Sequence, residues 1–130
     1  MTIFKKIKCM TILLLALLLI TIAGCKKEPT ISYSKDVKPI LVKYCTECHL
    51  PGGKGYNASG FSMASYADLM KGNKNGPMII AGDPLGSNML VLMEGRADPS
   101  IAMPHGNRKP VPKKEIMIIR KWIDQGAKNN

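Results

Sequence analysis

One pentapeptide, Cys45-Thr46-Glu47-Cys48-His49, contains side chains that can together hold a cofactor. The C-x-x-C-H spacing is the attachment signature of c-type haem. Two thiols separated by two residues can reach the two vinyl groups on one edge of a porphyrin, and the next residue then faces the iron. The pattern therefore predicts one haem c, bound covalently through Cys45 and Cys48, with His49 as an axial ligand of the iron.

Two other chemistries use the same residue types. A C-x-x-C pair can be a thioredoxin-like dithiol, but that interpretation requires a βαβ context, which this sequence lacks. A zinc site would need further ligands, and His105 is the only histidine outside the pentapeptide. His49 is also adjacent in sequence to Cys48 and poorly placed to share a tetrahedral shell with it. The dithiol and the zinc site remain alternatives to haem.

The first 25 residues have the pattern of an export signal. Three lysines lie within residues 5–8, residues 10–22 are almost wholly apolar, and Ile22-Ala23-Gly24-Cys25 ends the run. This segment resembles a bacterial lipoprotein signal, which implies cleavage after residue 24 and a lipid on Cys25. An uncleaved anchor helix is the alternative, although the run is short of the ~20 residues that a bilayer core needs. Either arrangement tethers the chain to a membrane and places it in the periplasm or at the cell exterior.

The use of the cysteines agrees with an exported haem protein. Cys9 lies in the signal, so no thiol is left for a disulfide once Cys25 carries lipid and the pentapeptide carries haem. The net charge is +10, and without the three signal lysines 16 basic and 9 acidic residues leave +7. Nucleic acid is not expected outside the cell. The excess indicates an acidic redox partner or anionic lipid, with a merely solvated basic surface as the alternative.

The pattern after the signal divides the chain further. Residues 26–32 are polar, include Pro29 and have no periodicity, which is typical of a tether. We therefore expect a signal peptide (1–24), a lipid-anchored tether (25–33) and one small domain (34–130). A hydrophobic core of this size is marginal by itself, and a buried haem would complete it.

The first predicted helix leads into the pentapeptide. Four apolar side chains fall at i, i+3, i+4 and i+7, on one helix face: Val37, Ile40, Leu41 and Tyr44. Ser34 or Asp36 can cap this helix, and Pro39 then lies within or close to its first turn, where a missing amide proton costs least. The helix would end at Cys45.

A loop and a short helix are predicted next. Residues 51–60 hold four glycines and no apolar pattern, which indicates a loop. Ser65 and Asp68 have the spacing of a capping box, which predicts a helix through Met70 that ends at Gly72.

Two more helices are predicted in the second half of the chain. Asp83 as N-cap and Pro84 in the first turn predict a short helix that ends at Gly95. Residues 96–111 contain several prolines and no regular pattern. A last helix would run from Pro112 to Gly126. The residues expected on the buried sides of these two helices are Met89, Leu90, Met93, Ile116, Ile118, Ile119, Trp122 and Ile123.

Several short stretches, taken in order, resemble a small cytochrome c domain of the planctomycete type, related to class I cytochromes c. They are Asp36–Leu41, Gly82-Asp83-Pro84 with Ser87, Met103-Pro104, and Trp122–Ala127. The resemblance spans Ser34 to Ala127. It implies an all-α fold of four or so helices around one covalently attached haem, with the first and last helices crossing beside it.

The resemblance also implies a methionine from the late loop as sixth iron ligand, and by position this is Met103. Such proteins often follow Met-Pro with another proline, whereas this chain has His105, which is the alternative ligand. The other methionines are interpreted as adaptable packing around the ring: Met63, Met70, Met78, Met89, Met93 and Met117. Three basic side chains either pair with haem propionates or are solvated: Arg96, Arg108 and Lys109.

The function implied is that of a membrane-tethered monohaem cytochrome that transfers electrons between redox partners, without a small-molecule substrate. A haem enzyme would need an open iron position with distal acid-base groups, and a dihaem enzyme would need a second attachment motif, which the sequence lacks. A gas or redox sensor with a displaceable sixth ligand is the other alternative.

Overall fold

The computed structural model describes residues 28–130, so the predicted signal and Cys25 lie outside the described residues. These residues form an all-α fold, as predicted, and the only β-bridge among them joins Asn73 to Gly76. Six α-helices are present where four or so were expected: α1 Lys38–Tyr44, α2 Thr46–His49, α3 Lys54–Ser59, α4 Tyr66–Lys71, α5 Asn88–Met93 and α6 Lys113–Asp124. A π-helical turn, Tyr33–Val37, precedes α1, and a 3-10 turn, Pro99–Ile101, follows α5. No helix of residues 28–130 has the length and apolar character needed to span a bilayer.

The start of the first helix differs from the prediction. The π-helical turn that leads into α1 has Ser32 as its N-cap, whose hydroxyl accepts a hydrogen bond from the Lys35 amide at 3.3 Å, and no side chain caps α1 itself. The Asp36 carboxylate in turn accepts a hydrogen bond from the Ser32 amide at 2.7 Å. The prediction of Ser34 or Asp36 as N-cap is therefore wrong, because Asp36 serves as the reciprocal partner of a cap two residues earlier than Ser34. Pro39 lies at the start of α1, as expected.

Residues 51–60, predicted as a loop, contain helix α3. The helix begins after Gly53 and ends at Gly60, which has the left-handed conformation (φ 74°) that favours glycine at a helix end. The Ser59 hydroxyl donates a hydrogen bond to the Gly55 carbonyl at 2.7 Å, within the helix. The number of glycines predicted a loop, whereas Gly53 and Gly60 flank a short helix and Gly55 lies inside it.

The two following helices confirm one boundary prediction and correct another. Ser65 caps α4 by accepting from the Asp68 amide at 3.0 Å, and α4 ends at Gly72, as predicted. Asp83 does not cap α5. Its carboxylate accepts from the Gly86 amide at 2.8 Å and closes a separate turn, so α5 begins only after Ser87. A glycine two residues after Pro84 favours a turn over helix continuation, which explains the later start.

The last helix packs against the first turn of the domain and closes the core. Trp122 is fully buried, and its ring centroid lies 5.5 Å from that of Tyr33 and 6.5 Å from that of Tyr66. Four of the five predicted buried positions of α6 are confirmed, with Ile116, Ile119, Trp122 and Ile123 in the core, whereas Ile118 is only partly buried against it. The chain beyond α6 returns to the first turn, where the Asn130 carboxamide oxygen accepts from the Tyr33 amide at 2.8 Å.

Candidate haem site

The pentapeptide begins with a break at Cys45, where α1 ends, and continues as the single helical turn α2. The Cys45 amide still donates to the Leu41 carbonyl at 2.8 Å, as the end of α1. The amides of Cys48 and His49 then both donate to the Cys45 carbonyl, at 3.1 and 3.0 Å. This single turn holds both thiols and the imidazole on one short, hydrogen-bonded piece of backbone. Both cysteines are free thiols and half-buried.

The ring of His49 is buried and has a defined orientation. Its Nδ1 lies 3.1 Å from the Phe61 carbonyl oxygen, and the Phe61 ring stands edge-on to it at 5.4 Å between centroids. A carbonyl can only accept a hydrogen bond, so Nδ1 carries a proton, and in a neutral imidazole with this tautomer the lone pair is on Nε2. A histidine that binds a metal through one nitrogen commonly donates its other N–H to such an oxygen. The geometry therefore suits His49 for iron ligation through Nε2.

The backbone of Gly55 passes close to the same edge of the imidazole. A Cβ atom at residue 55 would lie 2.8 Å from His49 Cε1 and 2.9 Å from Nε2, a contact that real side chains essentially never make. Glycine inside a helix costs about 1 kcal/mol relative to alanine. Gly55 therefore leaves free the space beside the nitrogen that would bind iron.

A cavity of about 960 Å³ adjoins the attachment turn. This volume lies at the upper end of the range for cofactor and ligand sites. Both thiols, His49 and Gly55 line it, together with a largely apolar set of residues: Tyr44, Phe61, Met63, Met78, Met89, Leu92, Met93, Ile101, Met103, Pro104 and Val111. The donor set and the apolar lining fit a haem c, which would be held by Cys45, Cys48 and His49.

Five methionines line the cavity, and they differ in how firmly they are committed to packing. Met63, Met78, Met89 and Met93 are each at most 9% exposed and belong to the core. The Met78 sulfur accepts a hydrogen bond from the Asn73 carboxamide at 3.3 Å. The other two methionines of residues 28–130 lie elsewhere: Met70 packs against the core, and Met117 is half-exposed.

Met103 is half-buried at the cavity wall, in the irregular stretch between the 3-10 turn and α6. Its amide donates to the Leu92 carbonyl of α5 at 3.1 Å, which positions the backbone of the loop. The Met103–Pro104 peptide bond is cis. His105 lines the same cavity but is exposed, and its Nδ1 lies 3.4 Å from the Ala102 carbonyl oxygen. The structure thus brings both predicted candidates for the sixth ligand to the site.

An ion pair lies at the rim of the cavity. Arg108 binds the carboxylate of Glu47, the residue between the two attachment cysteines, and both residues line the cavity. The hydrogen bond and charge of Arg108 lower the pKa of Glu47. Arg96, by contrast, pairs with Glu94 at 2.7 Å and donates to the Leu85 carbonyl, and it is absent from the lining of this cavity. Of these two predicted partners of the haem propionates, Arg108 lies at the cavity but is paired with Glu47. Arg96 binds Glu94 and the Leu85 carbonyl away from the cavity.

The two alternatives to haem find little support in the geometry. Burial, with a smaller contribution from Cys48, raises the pKa of Cys45 to about 11, whereas redox-active dithiols depend on a lowered thiol pKa. Within residues 28–130, no group of three or more His, Cys, Asp or Glu side chains could hold a metal ion. Both observations disfavour the dithiol and the zinc site.

Sequence reasoning missed three residues that shape the site. Phe61 orients His49, Gly55 clears space beside it, and Glu47 pairs with Arg108. No sequence signal singled out Gly55, because residues 51–60 were predicted as a loop. Nothing in the order of residues indicates that the carbonyl of Phe61, twelve positions away, meets His49.

Residues 45–105 match the family described as Planctomycete cytochrome C. The match begins at Cys45 and includes Met103 and His105. No curated protein and no solved structure matches the chain.

Proposed function

From the match of residues 45–105 to the planctomycete cytochrome c family, we propose that the chain is a monohaem electron carrier tethered to a bacterial membrane. One observation carries the proposal. The attachment cysteines, His49 and Met103 all line one cavity, and Nδ1 of His49 is hydrogen-bonded to the Phe61 carbonyl. Haem c in this cavity would supply an iron that alternates between the ferric and ferrous states.

The residues of the chain have separate tasks in this function. Cys45 and Cys48 attach the cofactor, so that it stays bound in both redox states. His49 and Met103 are the proposed axial ligands. The hydrogen bond from Nδ1 of His49 to Phe61 fixes the tautomer of the imidazole and raises its basicity as a ligand. The buried methionines and Phe61 exclude water, which is one of the means by which a protein sets a haem potential.

The residues around Met103 favour electron transfer over catalysis as the function. An enzyme with an open iron position needs an acid-base group beside the bound substrate. His105 is the one such group of the late loop that lines the cavity, and its ring is exposed. A redox protein partner, acidic in character, fits the positive charge of the chain.

The test uses protein produced with a c-type maturation system. Haem should remain with the polypeptide through acid-acetone extraction, and changing both cysteines to alanine should release it. The oxidised protein should show the weak red charge-transfer band of an iron–sulfur axial bond. Met103→Ala should abolish this band and open the iron to carbon monoxide, whereas Met93→Ala, at a buried cavity position, should retain the band.

Two results would contradict parts of this proposal. Free haem in the extract from the wild type would refute covalent attachment. If His105→Ala removes the native low-spin spectrum while Met103→Ala leaves it intact, His105 is the sixth ligand. Bis-histidine ligation would also lower the potential, because a thioether ligand raises it.

A further inference from the structure

The stretch that carries Met103 makes few polar contacts with the rest of the domain. We call residues 102–111 the Met103 segment. It contains no helix, since the 3-10 turn ends at Ile101 and α6 begins at Lys113. At one end the Met103 amide is bonded to Leu92, and at the other end Val111 is buried at 4% exposure.

Between these two ends a single polar contact leads from the segment to another part of the described chain. The hydrogen bond of His105 stays within the segment, since its partner is Ala102. Among residues 28–130, the contact that crosses from positions 104–110 to the rest of the domain is the ion pair of Arg108 with Glu47. Glu47 stands on α2, between the two attachment cysteines.

We propose that the Glu47–Arg108 ion pair is a latch that holds the Met103 segment against the attachment turn at the rim of the haem cavity. Both side chains line that cavity, so the pair joins the turn that bears His49 to the segment that bears the sixth ligand. Arg108 and Glu47 act as positioning residues through Met103. The inference rests on the proposed function, because it takes the sixth ligand to come from this segment.

The strength expected of the latch follows from its exposure. The side chain of Glu47 is 75% exposed and that of Arg108 is 35% exposed. An exposed pair of this kind changes an equilibrium by up to about fivefold and is weakened by salt. The latch therefore favours the arrangement in which the Met103 segment lies against the attachment turn, but only by this small factor. An added ligand can still displace the sixth ligand.

Imidazole binding to the ferric holoprotein measures this bias. Added imidazole can take the sixth position only when the segment releases its own ligand, so its apparent affinity reports the population of the released state. Glu47→Gln and Arg108→Gln should each raise the affinity about two- to fivefold. The double variant should show no greater effect than either single variant, because both remove the same interaction.

Three controls separate the latch from a general loss of stability or charge. Lys121→Gln removes a similar surface pair, with Glu28 at 2.8 Å, and should leave imidazole affinity unchanged. The exchange of Glu47→Arg with Arg108→Glu in one protein should restore the wild-type affinity, and this variant also covers the case in which a single variant folds poorly. Raising the salt concentration should increase imidazole affinity in the wild type and leave Glu47→Gln nearly unaffected.

The outcomes distinguish the latch from the proposed function. Unchanged imidazole affinity in both single variants, or effects that simply add in the double variant, would overturn the latch and leave Met103 ligation intact. A wild-type protein without the iron–sulfur band would instead overturn Met103 as the ligand. Faster thermal unfolding without a change in imidazole affinity would assign the pair to ordinary surface stability and so overturn the proposal.

Discussion

At the scale of single residues, the site depends on groups that position His49 as much as on His49 itself. The Phe61 carbonyl determines which nitrogen carries the proton, and Gly55 leaves room beside the other. Neither residue belongs to the attachment motif. Their contribution is geometric, since one fixes the ring and the other keeps accessible the edge that we propose binds iron.

Gly55→Ala tests this view. Alanine should stabilise helix α3 by about 1 kcal/mol on propensity alone, but its Cβ would collide with the imidazole at 2.8–2.9 Å. We expect a displaced His49, seen as a lower haem-to-protein ratio and loss of the low-spin absorption spectrum. Asn57→Ala, an exposed change in the same helix, is the control and should bind haem normally. A fully loaded Gly55→Ala protein with an unaltered spectrum would show that the close approach is unimportant.

Tyr33 gives a prediction for alkaline pH. Burial first, and then the neighbouring Tyr66, raise the pKa of Tyr33 above its ordinary value near 10. The neutral phenol is favoured in the folded state, so its stabilising contribution is complete below the unfolded pKa and is lost as the pH rises through the folded pKa. Tyr33→Phe keeps the ring and should lose stability less steeply above about pH 10 in denaturant unfolding. Tyr56→Phe is the control, and an equal slope in both variants would contradict the assignment.

At the scale of elements, helix boundaries depend on which polar group reaches a free backbone amide. Ser65 caps α4 by a local pairing that its sequence spacing indicates. Ser32 and Asp83 illustrate the other case. Ser32 caps the first turn in place of the predicted Ser34 or Asp36, and the Asp83 carboxylate accepts from the Gly86 amide and does not cap α5. Asn130 adds a partner from the far end of the chain, because its carboxamide bonds to the Tyr33 amide and the Ile31 carbonyl.

Asn130→Ala should therefore destabilise the first turn. The variant leaves the partly buried Tyr33 amide without its acceptor, which costs about 1 kcal/mol. For a domain of this size we expect a melting temperature lower by roughly 4–8 °C. Asn129→Ala changes an exposed neighbour and should melt as the wild type does. A similar fall in both variants would mean that the carboxamide of Asn130 has no specific role.

At the scale of the whole molecule, the domain is small, and α1, α2, α3 and α5 contribute residues to the lining of a cavity of about 960 Å³. Haem in that cavity would supply apolar contacts that the polypeptide alone cannot provide at this size. The predicted tether is a separate matter. Residues 28–31 contact the C-terminal end of α6, where the side chain of Gln125, the residue after the helix, bonds to the Ile31 amide and the Pro29 carbonyl.

Lipid attachment at Cys25 is the prediction that belongs to this scale. Labelled fatty acid should enter the wild-type chain and not Cys25→Ser, because the thiol is the acceptor of the diacylglyceryl group. The variant should keep its haem, since the attachment residues lie at least 20 positions further along the chain. Cys9→Ser should label as the wild type does. Equal labelling of Cys25→Ser and wild type would contradict the prediction.

The sequence by itself determined the features that depend on neighbouring residues or on a regular period. The attachment motif, the all-α fold, the capping of α4 by Ser65 and the buried face of α6 are all of this kind, because each follows from spacing along one stretch of chain. Helix α3 was missed, since its glycines favour loops locally and the helix forms with glycines at both of its ends.

Only the tertiary structure decided which distant groups meet. The carbonyl of Phe61 reaches His49, Arg108 reaches Glu47, and Asn130 reaches Tyr33 across 97 positions. It also placed Met103 and His105 on one cavity and gave Met78 a different partner, Asn73. Such contacts arise from packing of helices that are far apart in sequence, and no local propensity encodes them, because the free energy of each contact exists only once the chain has folded.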